Sequence, residues 1–285
     1  MVSLKPGGKS EIKLMAHAKI NVGLRIGGRR ADGYHEIWSI LQEIDLRDEI
    51  SLREAPDFVF SAAGETSDLP VDDQNLCVRA ARLLQAETGC RRGAHLELDK
   101  RIPIGAGLGG GSSDAASVLK GLNRLWGLGL NQAALIELAG QLGSDVPFFI
   151  LGGCCVATGR GEILRKIDPI IRDALIVIAP KVHIDTAWAY KNIKNYRLTS
   201  KLENIKLMDL KKADVLRLLG NDFEPLVFSR HPALGVLKER LLQAGAYYAS
   251  LSGSGSSIYG VFHSEESARR AFDEFQVEGR KYLLK

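Results

Sequence analysis

The residues of this chain best suited to hold an anion are Pro103-Ile104-Gly105-Ala106-Gly107-Leu108-Gly109-Gly110-Gly111-Ser112-Ser113. Glycine takes positive φ without a Cβ clash, so such a run can bring successive backbone N–H groups against a ligand. A helix starting at the end of the run adds unpaired N–H donors and the positive end of the helix dipole. Together these make an anion cradle, and phosphate is the anion such cradles most often bind. The bland alternative is a flexible Gly/Ser linker, which fits poorly between two strongly patterned segments. On one side His95-Leu96-Glu97-Leu98-Asp99 alternates like a half-buried strand. On the other, Ala115, Ala116, Val118, Leu119, Leu122 and Leu125 recur at helical spacing, with Ser112 or Ser113 as the expected N-cap.

Two familiar phosphate signatures fail here. Gly105-Ala106-Gly107-Leu108-Gly109-Gly110 matches G-x-G-x-x-G, but the dinucleotide fingerprint also needs an acidic residue about 20 positions on, closing a second strand. Near that point the chain reads Gly127-Leu128-Gly129-Leu130-Asn131, with neither acid nor strand. Gly7-Gly8-Lys9-Ser10 resembles the end of a Walker A loop, yet its first glycine would fall on Ser3 and no strand can precede it.

The elements that must position the loop belong to an ordinary globular chain of 285 residues, long enough for one large or two medium domains. With 38 Lys+Arg against 34 Asp+Glu the net charge is +4, too mild to imply nucleic acid and compatible with polyanionic small molecules. Cys77, Cys90, Cys154 and Cys155 lack C-x-x-C spacing and the six histidines are scattered, which disfavours a zinc site or a disulfide framework. Reduced thiols, the absence of any apolar run near ~18 residues and a polar N-terminus point to a soluble cytoplasmic protein with no membrane partner.

Residues 1–10 read as disordered. Ile12–Ile26 reads as a strand interrupted at Ala16-His17-Ala18-Lys19-Ile20-Asn21, where Lys19 also reads as an edge lysine facing solvent. A turn at Arg29–Glu36 leads to strands Ile37–Leu41 and Asp48–Leu52, and Tyr34-His35 also reads as an ordinary strand start. A helix from Asp72-Asp73-Gln74-Asn75 to about Glu87 ends at Gly89, and Asn131 caps a helix over Gln132–Leu142. Asp145 sits at the following junction, where a capping or loop aspartate is the plain reading. Strands are expected at Cys154–Thr158, Glu162–Lys166, Ala174–Pro180, Tyr247–Ser252 and Ser256–Phe262, followed by a short final one. Helices are expected at Thr186–Asn192, near Ala213–Leu219, at Ala233–Ala244 and at Glu265–Phe275, with a Lys-rich surface excursion over Lys194–Lys212. The order implies a mixed α/β (α+β) fold, with a domain over 11–166 and a smaller α+β domain over 167–285.

Three marked stretches, Ala16–Asn21, Pro103–Ser113 and Leu251–Ser257, stand in the order of the three motifs of the GHMP kinase superfamily, which the chain resembles along nearly its whole length. The resemblance implies a two-domain ATP-dependent small-molecule kinase using Mg2+, with Lys19 and Asp145 as catalytic lysine and base. Pro103–Ser113 would grip the triphosphate, Asn75 would lie on the adenine side, and Gly253, Ser254 and Gly255 would support the nucleotide loop. Phosphoryl transfer needs such a set, because a carboxylate beside a cation stays ionised and accepts the hydroxyl proton. Ser112 or Ser113 could ligate the metal, and no second, carboxylate ligand is identifiable from the sequence.

Within the superfamily, Arg29–His35, Gly109–Ser113 and Gly143-Ser144-Asp145-Val146-Pro147 resemble the branch that phosphorylates a cytidine-diphosphate-linked methylerythritol. That resemblance puts Asn21, Tyr34, His35, Thr186 and Tyr190 around the acceptor, with Tyr190 stacking on the base. The alternatives are a mevalonate-, homoserine- or sugar-type kinase, or a non-catalytic nucleotide-binding module. One departure is His17, where the superfamily usually has proline.

Overall fold

A computed structural model describes residues 11–64, 66, 69–194, 216 and 219–285. The expectations for residues 1–10, for almost all of 194–212 and for most of the helix near 213–219 lie outside these residues. The described chain forms two compact units that interleave along the sequence. The first takes the described part of Met1–Ala18 with Leu46–Ile104 and Gly109–Gly152; the second takes Lys19–Asp45, Gly105–Leu108 and Gly153–Lys285.

Two long strands, β1 (Glu11–Arg29) and β2 (His35–Ala55), contribute to both units. Neither breaks where the sequence suggests. β1 runs straight through Lys19 and Asn21 because both side chains are buried and bond one another, so the polar residues need no loop. In β2 the buried positions Ile40, Gln42, Ile44, Leu46, Asp48, Ile50 and Leu52 keep a period of two through the expected gap. Gln42 and Asp48 occupy inward positions, which hides the alternation from a hydropathy reading.

In the first unit, the later half of β2 pairs antiparallel with β4 (Gly93–Lys100), which pairs parallel with β3 (Val59–Gly64). β3 has no apolar period to announce it, since most of its side chains are exposed. Helices α1 (Leu76–Thr88), α2 (Gly110–Leu125), α3 (Gln132–Leu142) and α4 (Val146–Leu151) complete the unit, with α2 touching the other three. The helical period of Ala115, Ala116, Val118, Leu119, Leu122 and Leu125 does form the buried face of α2. Gly121 brings that face close to the strands: a Cβ there would lie 2.6 Å from Leu14 Cδ1.

In the second unit, the early half of β2 pairs with β5 (Cys154–Thr158), and β5 pairs with β6 (Ile163–Lys166). A further antiparallel sheet has the order β10 (Gly279–Leu284), β7 (Ala174–Pro180), β9 (Ile258–Phe262), β8 (Tyr248–Leu251). The short helix α5 (Thr186–Asn192) touches α6 (Glu224–Arg230), which the sequence reading does not foresee in its short polar-flanked stretch. Helix α7 (Pro232–Gln243) packs on β8 and β9, and α8 (Glu265–Glu274) on β7, β9 and β10. Ile176, Ile178, Ile258, Phe262, Phe223 and Leu241 lie in the core these elements enclose.

Candidate active site

Within the second unit, the first motif, the early half of the glycine loop and the third motif are knit together. Lys19 is buried at 4% exposure, which rules out a solvent-facing edge lysine. Its Nζ donates to Asn21 Oδ1 (2.7 Å), and Asn21 Nδ2 donates to Ser39 Oγ (2.8 Å), which donates to Gly23 O (2.7 Å). The amide of Asn21 is thereby oriented: its oxygen faces the ammonium and its nitrogen faces the hydroxyl. Main-chain contacts bring in the loop, since Lys19 N donates to Leu108 O (2.9 Å) and Ser257 N to Ala106 O (3.1 Å). Ser252 ties all three motifs: its Oγ accepts from Asn21 N (3.3 Å) and donates to Gly107 O (2.9 Å). Gly253 lets the third motif approach the first. A Cβ there would lie 3.4 Å from Asn21 Oδ1 and 3.6 Å from Lys19 Nζ.

The residues expected around the acceptor lie in the same unit. His35 is buried, donates from Nδ1 to Gly27 O (3.1 Å) and stacks on Tyr190, ring centroids 5.7 Å apart and planes at 26°. Tyr190 in turn meets Phe223 edge-on at 4.9 Å. Thr186 Oγ1 and Ser254 Oγ share a 2.9 Å hydrogen bond, so the start of α5 is joined to the third motif. Tyr34 is half exposed, and the Arg160 guanidinium lies 5.0 Å over its ring. Such a cation–π contact at an exposed site is worth about 0.5–1 kcal/mol.

The first unit holds the rest. Helix α2 begins at Gly110 after an N-cap Gly109 at φ 71°, with no side-chain cap. The expected Ser112 or Ser113 cap is therefore incorrect: the left-handed glycine turn starts the helix three or four residues earlier. The N-cap Gly109 has no side chain to occupy the N–H groups of the first turn, which suits an anion. Asn75 is the N-cap of α1 rather than part of a helix starting at Asp72; its Oδ1 accepts from Cys77 N (2.8 Å) and its Nδ2 donates to Pro70 O (2.7 Å). The start of α2 lies beside that of α1, a Cβ on Gly111 being 3.7 Å from Leu76 Cδ1. Asp145 occupies the N-cap position of α4, at the junction expected from the sequence, but its side chain makes no capping bond to the helix.

A charged cluster that the sequence reading passes over lies behind the loop in the first unit. Lys100 Nζ donates to Asp48 Oδ2 and to Asp114 Oδ2 (the latter 2.8 Å), all three side chains being buried. Asp48 Oδ1 accepts from Arg101 N (2.5 Å) and Ile102 N (2.8 Å), while Asp114 Oδ1 has no hydrogen-bond partner among the described residues. Burial alone would lower the Lys100 pKa, but the two carboxylates outweigh it and hold the ammonium charged. Burial, aided by the Asp48 charge and opposed by Lys100, pushes the Asp114 carboxyl up to about 8. The folded protein thus binds a proton on Asp114 from about pH 4 to 8 that an unfolded chain, with its Asp near 3.9, releases. Stability is therefore expected to fall as pH rises across that window, by at most about 1 kcal/mol per pH unit. Asp114→Asn should flatten the slope in urea unfolding at pH 5 to 8, and an equally flat parent curve would refute the bound proton.

With this geometry established, the relatives are informative. The GHMP kinases N terminal domain model matches residues 75–153 and the GHMP kinases C terminal model residues 202–281. The chain belongs to the GHMP kinase family. It is an ATP-dependent small-molecule kinase. A relative from Chlorobium phaeobacteroides named 4-diphosphocytidyl-2-C-methyl-D-erythritol kinase is 42% identical, covering 96% of this chain and 94% of its own length. A relative of the same name from Prosthecochloris aestuarii is 40% identical over 94% of this chain and 95% of its own. A crystal structure of 4-(cytidine 5'-diphospho)-2C-methyl-D-erythritol kinase aligns with TM-score 0.79 and 31% identity, covering 96% of this chain and 98% of that one. A homoserine kinase from Cytophaga hutchinsonii shares the fold, at TM-score 0.74 and 21% identity.

For a GHMP kinase, three features here receive no role in the sequence reading: the bridging by Ser252 of all three stretches, Asn221, and the buried Asp48–Lys100–Asp114 cluster. Asn221 Nδ2 donates to both Leu251 O and Gly253 O (2.8 Å each), pinning the third-motif turn. The symmetric placing of Lys100 and Asp114 on either side of the glycine run was the available signal. A buried pair across a loop is otherwise indistinguishable from two surface charges.

Proposed function

We propose that this GHMP kinase transfers the γ-phosphoryl group of ATP to the 2-hydroxyl of 4-diphosphocytidyl-2-C-methyl-D-erythritol, a step of non-mevalonate isoprenoid biosynthesis. The observation that carries the reading is identity of 42% across 96% of the chain to a relative bearing that activity's name. The packing of His35 against Tyr190 and the Thr186–Ser254 bond support it, because they gather the acceptor-side residues in one unit.

In the proposed reaction the acceptor oxygen forms a bond to the γ-phosphorus as the bond to the β-phosphate oxygen breaks, releasing ADP. Asp145 takes the hydroxyl proton. Lys19, held by Asn21, stabilises the developing negative charge. The loop Pro103–Ser113 and the uncapped start of α2 bind the triphosphate through main-chain N–H groups. Magnesium accompanying ATP would offset the charge of its phosphates, and Ser112 or Ser113 would be the side chain that holds it. Asn75 contributes to the adenine side through the fixed start of α1. Tyr34, His35 and Tyr190 hold the cytidine diphosphate end. The reading places the chain in the cytoplasm with its nucleotide substrates, and needs neither nucleic acid nor membrane.

Purified protein with MgATP should release ADP on addition of this acceptor. Turnover on mevalonate or homoserine with none on the cytidine compound would overturn the acceptor assignment. Tyr190→Ala is expected to raise the acceptor KM by about tenfold, from loss of base stacking worth roughly 1–3 kcal/mol. The KM for ATP should stay unchanged. An unaltered acceptor KM would remove Tyr190 from the site.

A further inference from the structure

We propose that Asp48, Lys100 and Asp114 are positioning residues for the glycine-rich loop, holding its two ends at the separation at which the first turn of α2 receives the phosphates of ATP. The inference rests on the reading of that loop as the triphosphate grip. All three residues lie in the first unit, as do both ends of the loop.

The cluster brackets the loop. At the entry, Asp48 Oδ1 takes the main-chain N–H groups of Arg101 and Ile102, the two residues immediately before Pro103. At the exit, Lys100 reaches Asp114, four residues into α2 (2.8 Å). Asp48 Oδ2 accepts from the same ammonium and closes the set. The first residue of α2 rests on that ammonium: a Cβ on Gly110 would come within 2.8 Å of Lys100 Nζ and 3.0 Å of Ile102 Cγ2. Glycine at this position therefore serves the close approach of the helix start to Lys100 as much as any ligand.

Stability is a poor reason for such a cluster. Buried ion clusters are often matched or bettered by apolar side chains of the same volume, because desolvation offsets their attraction. Here one carboxyl oxygen, Asp114 Oδ1, is buried with no hydrogen-bond partner among the described residues, a further cost. What charged, hydrogen-bonded groups supply and apolar ones do not is fixed length and direction. With exposures of 0%, 2% and 1% for Asp48, Lys100 and Asp114, none of the three can touch substrate, so any effect on nucleotide must pass through the backbone they hold.

The test is calorimetric titration of the full-length chain with MgATP at a temperature where each variant is folded, beside thermal melts. Asp114→Asn and Lys100→Met are each expected to weaken ATP binding by about tenfold, as misplacement of a binding group by less than an ångström does. Where Lys100→Met lowers the melting point too far, the triple variant Asp48→Asn, Lys100→Met, Asp114→Leu removes the uncompensated charge. It should regain the melting temperature without regaining ATP affinity. A merely structural cluster would recover both together, and ATP affinity within about twofold of the parent in the folded variants would overturn the proposal. If the parent binds ATP yet phosphorylates no cytidine acceptor, only the acceptor assignment fails. A parent that binds no ATP overturns the grip reading and this inference with it.

Discussion

Asp145→Asn is expected to lower kcat by roughly 10²–10⁴-fold, the usual range for loss of a positioned base, while ATP affinity holds within about twofold. The substitution is nearly isosteric and removes the carboxylate proposed to accept the hydroxyl proton. It costs α4 no capping bond, because Asp145 makes no side-chain capping bond to that helix. The split is what identifies a base: a residue that bound ATP would move its dissociation constant, and one that only packed would move the melting temperature. Lys19→Ala should show a similar fall in kcat with a further cost. It leaves the buried Asn21 Oδ1 without its 2.7 Å donor, which costs about 1–3 kcal/mol of stability. Rates for that variant must therefore be taken well below its melting point. Single-turnover ADP release, with ATP binding followed separately, measures both. Asp145→Asn turning over at the parent rate would remove it from the mechanism.

Much of this site was legible because its chemistry is carried by backbone. A glycine run between a strand and a helix announces an anion cradle whatever surrounds it, and the helical period after Ser113 fixed the direction in which its N–H groups emerge. The start of α2 was misplaced by a serine preference that a left-handed glycine overrides: Gly109 at φ 71° begins the helix and needs no side chain. The strands were harder. β2 keeps its period of two only if Gln42 and Asp48 are counted as inward residues, and a sequence reading gives no reason to bury either. Asp48 faces inward to meet Lys100, and Gln42 to bond Ile171 O (2.6 Å), partners 52 and 129 positions away. Lys19 was caught in the same way. Inside an apolar strand a lysine reads as an edge residue, and only the long-range ring of Asn21, Ser39 and Ser252 shows why it is buried. Non-local polar satisfaction is the part of the fold that periodicity cannot carry.

The same non-local bracing makes Gly107→Ala the most damaging single methyl group that can be added to the loop. Gly107 sits at φ +78°, where an L side chain costs about 1–2 kcal/mol before any contact is considered. A Cβ would also strike Ser252 O and come within 2.9 Å of Gly255 O, both main-chain atoms of the third-motif turn. Neither can yield locally. Gly255 N donates to Ser252 O (3.0 Å), Ser252 Oγ is bound to Gly107 O (2.9 Å), and Asn221 clamps Leu251 O and Gly253 O (2.8 Å each). Gly127 supplies the control, because it sits at φ +65° with nothing within 4 Å of an added Cβ. Gly127→Ala should therefore show the conformational cost alone, a loss of a few degrees in melting temperature at about 2–4 °C per kcal/mol, and bind ATP normally. Gly107→Ala is expected to lose at least twice as much, and to weaken ATP binding by about tenfold or more as the loop is pushed off the turn. Equal melting losses and equal ATP affinities in the two variants would mean that the 252–255 turn does not brace the loop, and that Ser252 joins the three motifs without holding them.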